Sequence, residues 1–275
     1  MNESAISAAD AGTGIVRGCG YPGLVSWGAG KLWSVGYREW LPPVELRSAL
    51  ACLWVSVTPE GTMPSVSAVL PDGCTDLIWQ SGRGAFVAGP DTGPVPTQTP
   101  GSTVLVGARF WPGAGGPAFG LPLTALRDQR VDLIDCLPAL ARQLPADLTP
   151  DQALKKVTGL SAQLVTTSPP DRLVRQAICL LTAGRTSLAD LCPTLAVSER
   201  QLRRRFDETV GYGPKTLQRV LRFRQVVDEL FAEPAVDLAD LAWRTGYADQ
   251  AHLTRETTRM AGVPPTALAK SFQSR

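Results

Sequence analysis

With 275 residues, 44% apolar and 19% charged, the chain is long enough for two ordinary domains and too apolar to be disordered or fibrous. The formal net charge of +2 hides an asymmetry: residues 1–168 carry 11 Lys+Arg against 13 Asp+Glu, and residues 169–275 carry 16 against 12. That excess is modest, so a case for nucleic acid rests on where the arginines point. No apolar run nears the roughly 18 residues that span a bilayer, and the opening MNESAISAADAGTG lacks the basic start and apolar stretch of a signal peptide, which predicts a cytoplasmic protein with no membrane partner. Six dispersed cysteines (Cys19, Cys52, Cys74, Cys136, Cys179, Cys192), no CxxC pair and a single histidine argue against a zinc site or disulfide framework, so no cofactor is expected.

Residues 1–18 are small and polar and predict a loose segment. PVELRSAL at 43–50 predicts a helix with proline at its start. Short apolar runs cut by Gly and Pro follow: CLWVSV (52–57), SVSAVL (65–70), CTDLIW (74–79), AFVAG (85–89) and STVLVGARF (102–110). They read as strands, with turns at PDG (71–73) and GPDTGP (89–94). From Val131 the period becomes helical in VDLIDCLPALARQL, interrupted by Pro138, and a further helix is predicted over 150–164, opened by Thr149 and Pro150. TTSPP at 166–170 reads as a linker. Beyond it helices are expected at 171–183, 187–195, 198–209, 214–232, 237–244, 249–260 and 265–272, with no strand. The expectation is an α+β chain: a loose 1–18, a β-rich domain over 19–165 ending in helices, a linker at 166–170, and an all-α domain over 171–275.

The helical half contains a repeat. Leu202, Gly211 and Pro214 recur as Leu253, Gly262 and Pro265, an offset of 51, and LADL at 188–191 recurs at 238–241, an offset of 50. The second copy therefore has one extra residue between its two helices, in the turn carrying Gly246. Each copy is a short helix, a turn and a longer helix opened by a capping residue, Ser198 or Asp249, which is the shape of a helix-turn-helix unit. Between them, the helix from Pro214 places Leu217, Val220, Leu221, Val227, Leu230 and Phe231 at three-to-four spacing and can hold both units at a fixed separation.

The motifs SLADLC, VSERQLRRRFDETVGYGP, RFRQVVDEL and DLADLAWRTGYADQAHLTRETTRMAGVPP resemble the DNA-binding domain of AraC/XylS-type bacterial transcription regulators, with the family's spacing over about 100 residues from 171 to 270. The resemblance implies two helix-turn-helix units joined by a linking helix, with both recognition helices in successive major-groove segments on one side of DNA. One position departs from the family: the aromatic that matches Phe206 in the first unit is Thr257 in the second, which predicts looser packing there.

At 100° per residue from Leu202, Phe206 falls near 40°, while Arg200 and Arg204 fall near 160° and 200° on the far side. Arg203 and Gln201 lie on the flanks, and Arg205, near 300°, turns back toward the packed edge, a direction that suits snorkelling along the core edge or pairing with an acid. From Leu253, with Met260 inward, the same count sends Ala251, Arg255, Arg259 and His252 outward, and Arg255 is the repeat equivalent of Arg204. An outward basic face is ordinarily just solvated; the equivalent arginines in two units are what point to nucleic acid. The expected base contacts are Arg200, Arg204, Arg255 and Gln250, since the arginine fork fits guanine O6 and N7 and glutamine suits adenine, with Ala251 also on the DNA-facing side. Ser198, Gln201, Arg203, Lys215 and Arg259 are expected on phosphates, and His252 is left open between DNA contact and an exposed residue without a role.

REWLPPVEL, LPDGCTDLIW, AGPDTGP and VGARFWPGAGG, between about 40 and 135, resemble an N-terminal domain of unknown activity on some actinobacterial-type AraC regulators, which by analogy senses an effector, mediates dimerisation, or both. Asp72, Asp76, Trp79, Arg109 and Trp111 are the ligand-binding candidates, an aromatic wall with convergent charges; the alternative is a turn, core aromatics and an Arg109 ion pair with Asp72 or Asp76. The region has no histidines for a metal cupin. The resulting expectation is a non-enzymatic, sequence-specific regulator binding double-stranded DNA and a small-molecule effector, with RNA polymerase as a partner of an activator and homodimerisation left open. The alternatives are a DNA-repair or other enzyme docking through the helical half, and an interaction protein with a degenerate DNA domain. The cysteines are too scattered for the alkyl-transfer modules fused to this family, and the sole histidine sits on the presumed DNA face, away from any Ser-His-Asp arrangement.

Overall fold

The computed structural model describes residues 36–61, 66–98, 101–183 and 187–273. The loose segment expected at 1–18, and Ser65 at the start of one expected strand, lie outside the described residues. The chain is α+β. Its β half contains β1 (Arg38–Trp40), β2 (Leu50–Thr58), β3 (Val66–Val69), β4 (Thr75–Gln80), β5 (Gly84–Ala88), β6 (Val95–Gln98), β7 (Thr103–Phe110) and β8 (Arg130–Asp132). Six of these form an antiparallel sheet in the order β1-β2-β7-β4-β5-β8, and β3 pairs with β6 separately.

The continuous apolar runs of the sequence follow from burial on both faces of this sheet, which removes the alternation of a half-solvated strand. On one face Leu53, Leu77, Trp79, Val87, Val106, Ala108 and Phe110 join the main core of the β half. On the other, Cys52, Trp54, Ile78, Phe86 and Ala88 form a smaller cluster. Register aligns these sets: Ala108 lies between Leu53 and Leu77, and Arg109 lies between Cys52 and Asp76.

The helices are α1 (Gly115–Phe119), α2 (Leu133–Cys136), α3 (Pro138–Ala141), α4 (Pro150–Thr167), α5 (Arg172–Thr182), α6 (Leu188–Leu195), α7 (Glu199–Thr209), α8 (Pro214–Ala232), α9 (Leu238–Arg244), α10 (Gln250–Ala261) and α11 (Pro265–Gln273). Helix α4 opens on a capping box between Thr149 and Gln152 and lays Val157, Leu160 and Leu164 on the main core. It continues to Thr167, so the connection to α5 is residues 168–171, and Asp171 caps α5 through the amides of Leu173 and Val174.

Two expected helices are corrected. The 43–50 segment makes only one 3-10 turn, Val44–Leu46, because Leu50 already pairs with Phe110 at the start of β2; eight residues cannot nucleate a helix against that pairing. The helix expected from Val131 starts as β8, which pairs with β5, and then breaks into α2 and α3 at Leu137, the residue before Pro138. Helix α1, GGPAF, was illegible from propensity, as were the short strands β1, β6 and β8.

Around the linking helix α8, Leu217, Val220, Leu221, Phe223, Val226, Val227 and Leu230 are buried in one helical core with Leu202, Phe206, Leu241, Leu253 and Met260. Phe231, expected in this set, is 46% exposed and meets Phe272 edge-on. The two units share a turn geometry: Ala196 (φ 52°) and Gly246 (φ 73°), 50 residues apart, both adopt the left-handed conformation between the short and the long helix. The extra residue of the second unit therefore follows Gly246, before the cap Asp249.

The halves are not beads on a linker. Trp111 packs on both cores. A Cβ at Gly113 would stand 3.0 Å from Val174 Cγ1, and one at Gly116 only 2.5 Å from the Glu208 carbonyl oxygen at the end of α7. The main-chain approach is close enough to exclude any side chain at Gly116.

Candidate nucleic-acid interface

Helix α7 is opened by a capping box. Ser198 Oγ accepts from Gln201 N (3.2 Å), and Gln201 Oε1 accepts from Ser198 N (3.0 Å) and Ser198 Oγ (3.0 Å). Both side chains are exposed but engaged with each other, so their first task is to hold the helix start. Leu202 and Phe206 face inward, while Arg200, Arg203 and Arg204 are exposed. Arg203 lies 3.8 Å from Asp207, a loose pair one turn on. Arg205 turns back and donates to Asp171 at 2.5 Å, tying α7 to the cap of α5. The three consecutive arginines thus diverge. Arg200, Arg203 and Arg204 line an open cleft of about 620 Å³ with Glu199, Asp207 and Glu208 and with Pro122 and Thr124 of the β half.

In the second unit Asp249 caps α10 through His252 N (2.6 Å). Gln250, Ala251, Arg255 and Arg259 are exposed. His252 is half-buried, its ring edge-on to Tyr247 at 5.2 Å, so it packs beside the turn rather than standing free. Arg259 lies 3.7 Å from Glu256, which accepts two hydrogen bonds of 2.8 Å from Arg219 of α8. That fork locks α10 to the linking helix; the Arg219 hydrogen bonds hold the Glu256 carboxyl below its ordinary range. Lys215 is exposed in the first turn of α8.

Thr257 is fully buried and its hydroxyl has no hydrogen-bond partner. Where the first unit fills this point with Phe206, the second leaves a desolvated polar group. Replacing it by the similarly shaped valine, Thr257→Val, should raise the stability of the helical half by about 1 kcal/mol, read as a higher urea midpoint at unchanged slope.

The effector candidates divide. Asp72, Asp76 and Arg109 converge: Arg109 Nε donates to Asp76 (3.1 Å), its Nη1 is 3.7 Å from Asp72, and Trp54 Nε1 donates to Asp76 Oδ1 (2.8 Å). Burial opposes the charge on Arg109, but the carboxylates of Asp76 and Asp72 outweigh it and hold its pKa above the ordinary value. Burial also raises the thiols of Cys52 and Cys74, which keeps them protonated and chemically quiet. Trp79 does not join the cluster. It lies on the opposite sheet face, fully buried, donating to the Pro145 carbonyl (2.7 Å), because residues 76 and 79 of one strand point to opposite sides. Trp111 sits at the junction of the two cores, donating to the Arg47 carbonyl (3.2 Å). Trp54 was missed as a partner of Asp76: β2 and β4 do not touch but flank β7, an arrangement no local pattern encodes.

A family model for a helix-turn-helix domain matches residues 191–271, from within α6 through α10 and into α11. A second, described as a domain of unknown function (DUF6597), matches 38–132, from the first residue of β1 to the last of β8. A Streptomyces lividans protein named as an AraC-like transcription regulator is 36% identical over 80 residues. The chain thus matches a domain of unknown function over its β half and a helix-turn-helix domain over its helical half. The aligned stretch is 29% of this chain and about a quarter (26%) of the Streptomyces protein's length. Two crystal structures of ToxT from Vibrio cholerae are also similar, an apo variant and the wild-type protein bound to unsaturated fatty acid. They share 13% and 11% identity, cover 80% and 83% of this chain and 97% of their own, and give TM-scores of 0.44 and 0.42. Among the described residues, no helix is long and apolar enough to cross a membrane.

Proposed function

We propose that the protein is a sequence-specific DNA-binding transcription regulator acting in the cytoplasm, with α7 and α10 as its reading helices. The observation that carries this is the exposure of Arg204 and Arg255, equivalent residues of two repeated units, on the outward faces of two helices held by one linking helix. Arg200, Gln250 and Ala251 extend the reading faces. Arg203, Lys215 and Arg259 flank them as phosphate contacts, with Ser198 and Gln201 presenting the first turn of α7. The partners are double-stranded DNA and, for an activator, RNA polymerase; the chain needs no catalytic step.

The β half is the controlling part in this reading, through a small-molecule effector or through dimerisation. The Asp72, Asp76 and Arg109 cluster, walled by Trp54, is the region we assign to a polar effector. Selection of bound fragments from genomic DNA with the purified protein tests the proposal. The footprint should cover two adjacent major-groove segments centred about 34 Å apart on one side of the duplex; protection absent from every fragment, or spread evenly over all sequences, would end this reading.

A further inference from the structure

Residues 89–94, GPDTGP, leave β5 as a loop hydrogen-bonded at its base to Asp128 and Arg130 of the β half. Arg130 donates to Asp91 through both terminal nitrogens (2.9 and 2.7 Å), and the Asp128 carboxylate accepts from Thr92 N (2.6 Å) and Thr92 Oγ1 (2.9 Å). The two prolines of this loop meet the helical half at separate places. A Cβ at Gly211 would stand 2.8 Å from Pro90 Cγ and 3.0 Å from the Leu123 carbonyl oxygen. A Cβ at Gly262 would stand 3.4 Å from Pro94 Cγ, and one at Gly93 would stand 4.0 Å from the Arg259 carbonyl oxygen. Gly211 and Gly262 are the equivalent residues of the repeat, each ending its long helix at positive φ, +89° and +76°. One anchored loop therefore touches both units at the same structural point, the turns that close α7 and α10.

We propose that the 89–94 loop is a brace that sets the mutual orientation of α7 and α10, so that the β half governs DNA recognition through the geometry between the two units. The proposal rests on the DNA-binding reading above. The linking helix and the Arg219–Glu256 fork hold the two units along one side; a bridge from the opposite half fixes them along a second. Proline suits that task because its ring fixes the backbone and presents a rigid apolar face. Reading two groove segments at once demands such fixed geometry, since helical phase and spacing must both match. A path from the sheet to this brace is present: the buried Tyr212 hydroxyl, next to Gly211 and without a partner, lies 3.4 Å from where a Gly73 Cβ would be, beside Asp72. Movement of the Asp72 turn would thus be felt at the first braced turn.

The test uses the full chain with Thr92→Val and Asp128→Gly together. This pair removes the Thr92–Asp128 hydrogen bonds at the base of the loop and alters no residue of the helical half, and glycine accepts the positive φ of 58° at Asp128. The probe is a duplex recovered from a random-sequence pool by the unaltered protein, and the same duplex with one base pair inserted between the two protected segments. Without DNA, hydrogen exchange should rise at the Gly211 and Gly262 turns together, while the thermal transition shows a folded protein. With DNA, the preference for the original spacing should fall at least about fivefold. Pro94→Gly should raise exchange at the Gly262 turn alone and lower the spacing preference similarly. Unchanged exchange at either turn in the double variant, or an unaltered spacing preference in both variants, would overturn the brace. If the unaltered protein recovers no duplex, the DNA-binding reading fails and the exchange measurement alone decides the contact.

Discussion

Replacing Arg109 by methionine should cost about 3–5 kcal/mol of folding stability, the largest loss we expect from any single side chain in the β half. Asp76 is 8% exposed and accepts hydrogen bonds from Arg109 and Trp54, with Asp72 3.7 Å from the same guanidinium. Taking away the cation leaves two carboxylates facing each other with no compensating charge, one of them desolvated. Asp76→Asn should cost less, because the amide oxygen still accepts from Trp54. The double variant should lose clearly less than the sum of the two single losses, since each single change already breaks the shared ion pair. Urea unfolding of the four proteins checks this; strictly additive losses would show that the pair contributes nothing as a pair. Stability and effector binding are separable here, because a ligand acting at this cluster would raise the transition temperature of the unaltered protein and leave that of the variants unmoved.

Arg204→Ala should weaken binding to the selected site by about 1–3 kcal/mol and relax the preference at one base pair. Arg255→Ala should do the same at a position one helical turn of DNA away, because it is the equivalent residue on α10 and is likewise exposed. Arg203→Ala should instead weaken binding on all sequences and reduce the slope of log affinity against log salt by about 1, the signature of a lost phosphate contact. Binding of each variant to the selected duplex, to single-base substitutions of it and to random DNA over a salt series separates these outcomes. Equal losses for Arg204→Ala on specific and random DNA would remove base reading from this residue. Arg205→Ala should leave DNA binding largely intact and loosen α7 from α5, because its guanidinium is already engaged by Asp171.

The helical half was legible because helices are local. Residue spacing, the caps Ser198 and Asp249, and the offsets of Leu202 and Gly211 to Leu253 and Gly262 were enough to place two units, a linking helix and the outward arginines, since a helix has one periodicity and each side chain's direction follows from counting. The aromatic lost at Thr257 was also visible in the repeat; that its hydroxyl would end fully buried and unpaired was not.

The sheet was legible only as a set of apolar runs. Strand alternation separates Trp79 from Asp76 locally, but Trp54 could not be joined to Asp76 until β7, about 30 residues beyond β4, was seen between β2 and β4. Short strands such as β1 and β8 exist because a longer neighbour offers its edge. The seam was beyond any local pattern: GPDTGP reads as a turn, and only the folded chain brings Pro90 and Pro94 against Gly211 and Gly262. Sequence by itself determined the two helix-turn-helix units, through backbone geometry confined to a few turns; tertiary structure alone decided how they are held to the rest of the molecule, because that rests on contacts between residues about 120 to 170 positions apart, which no periodicity records.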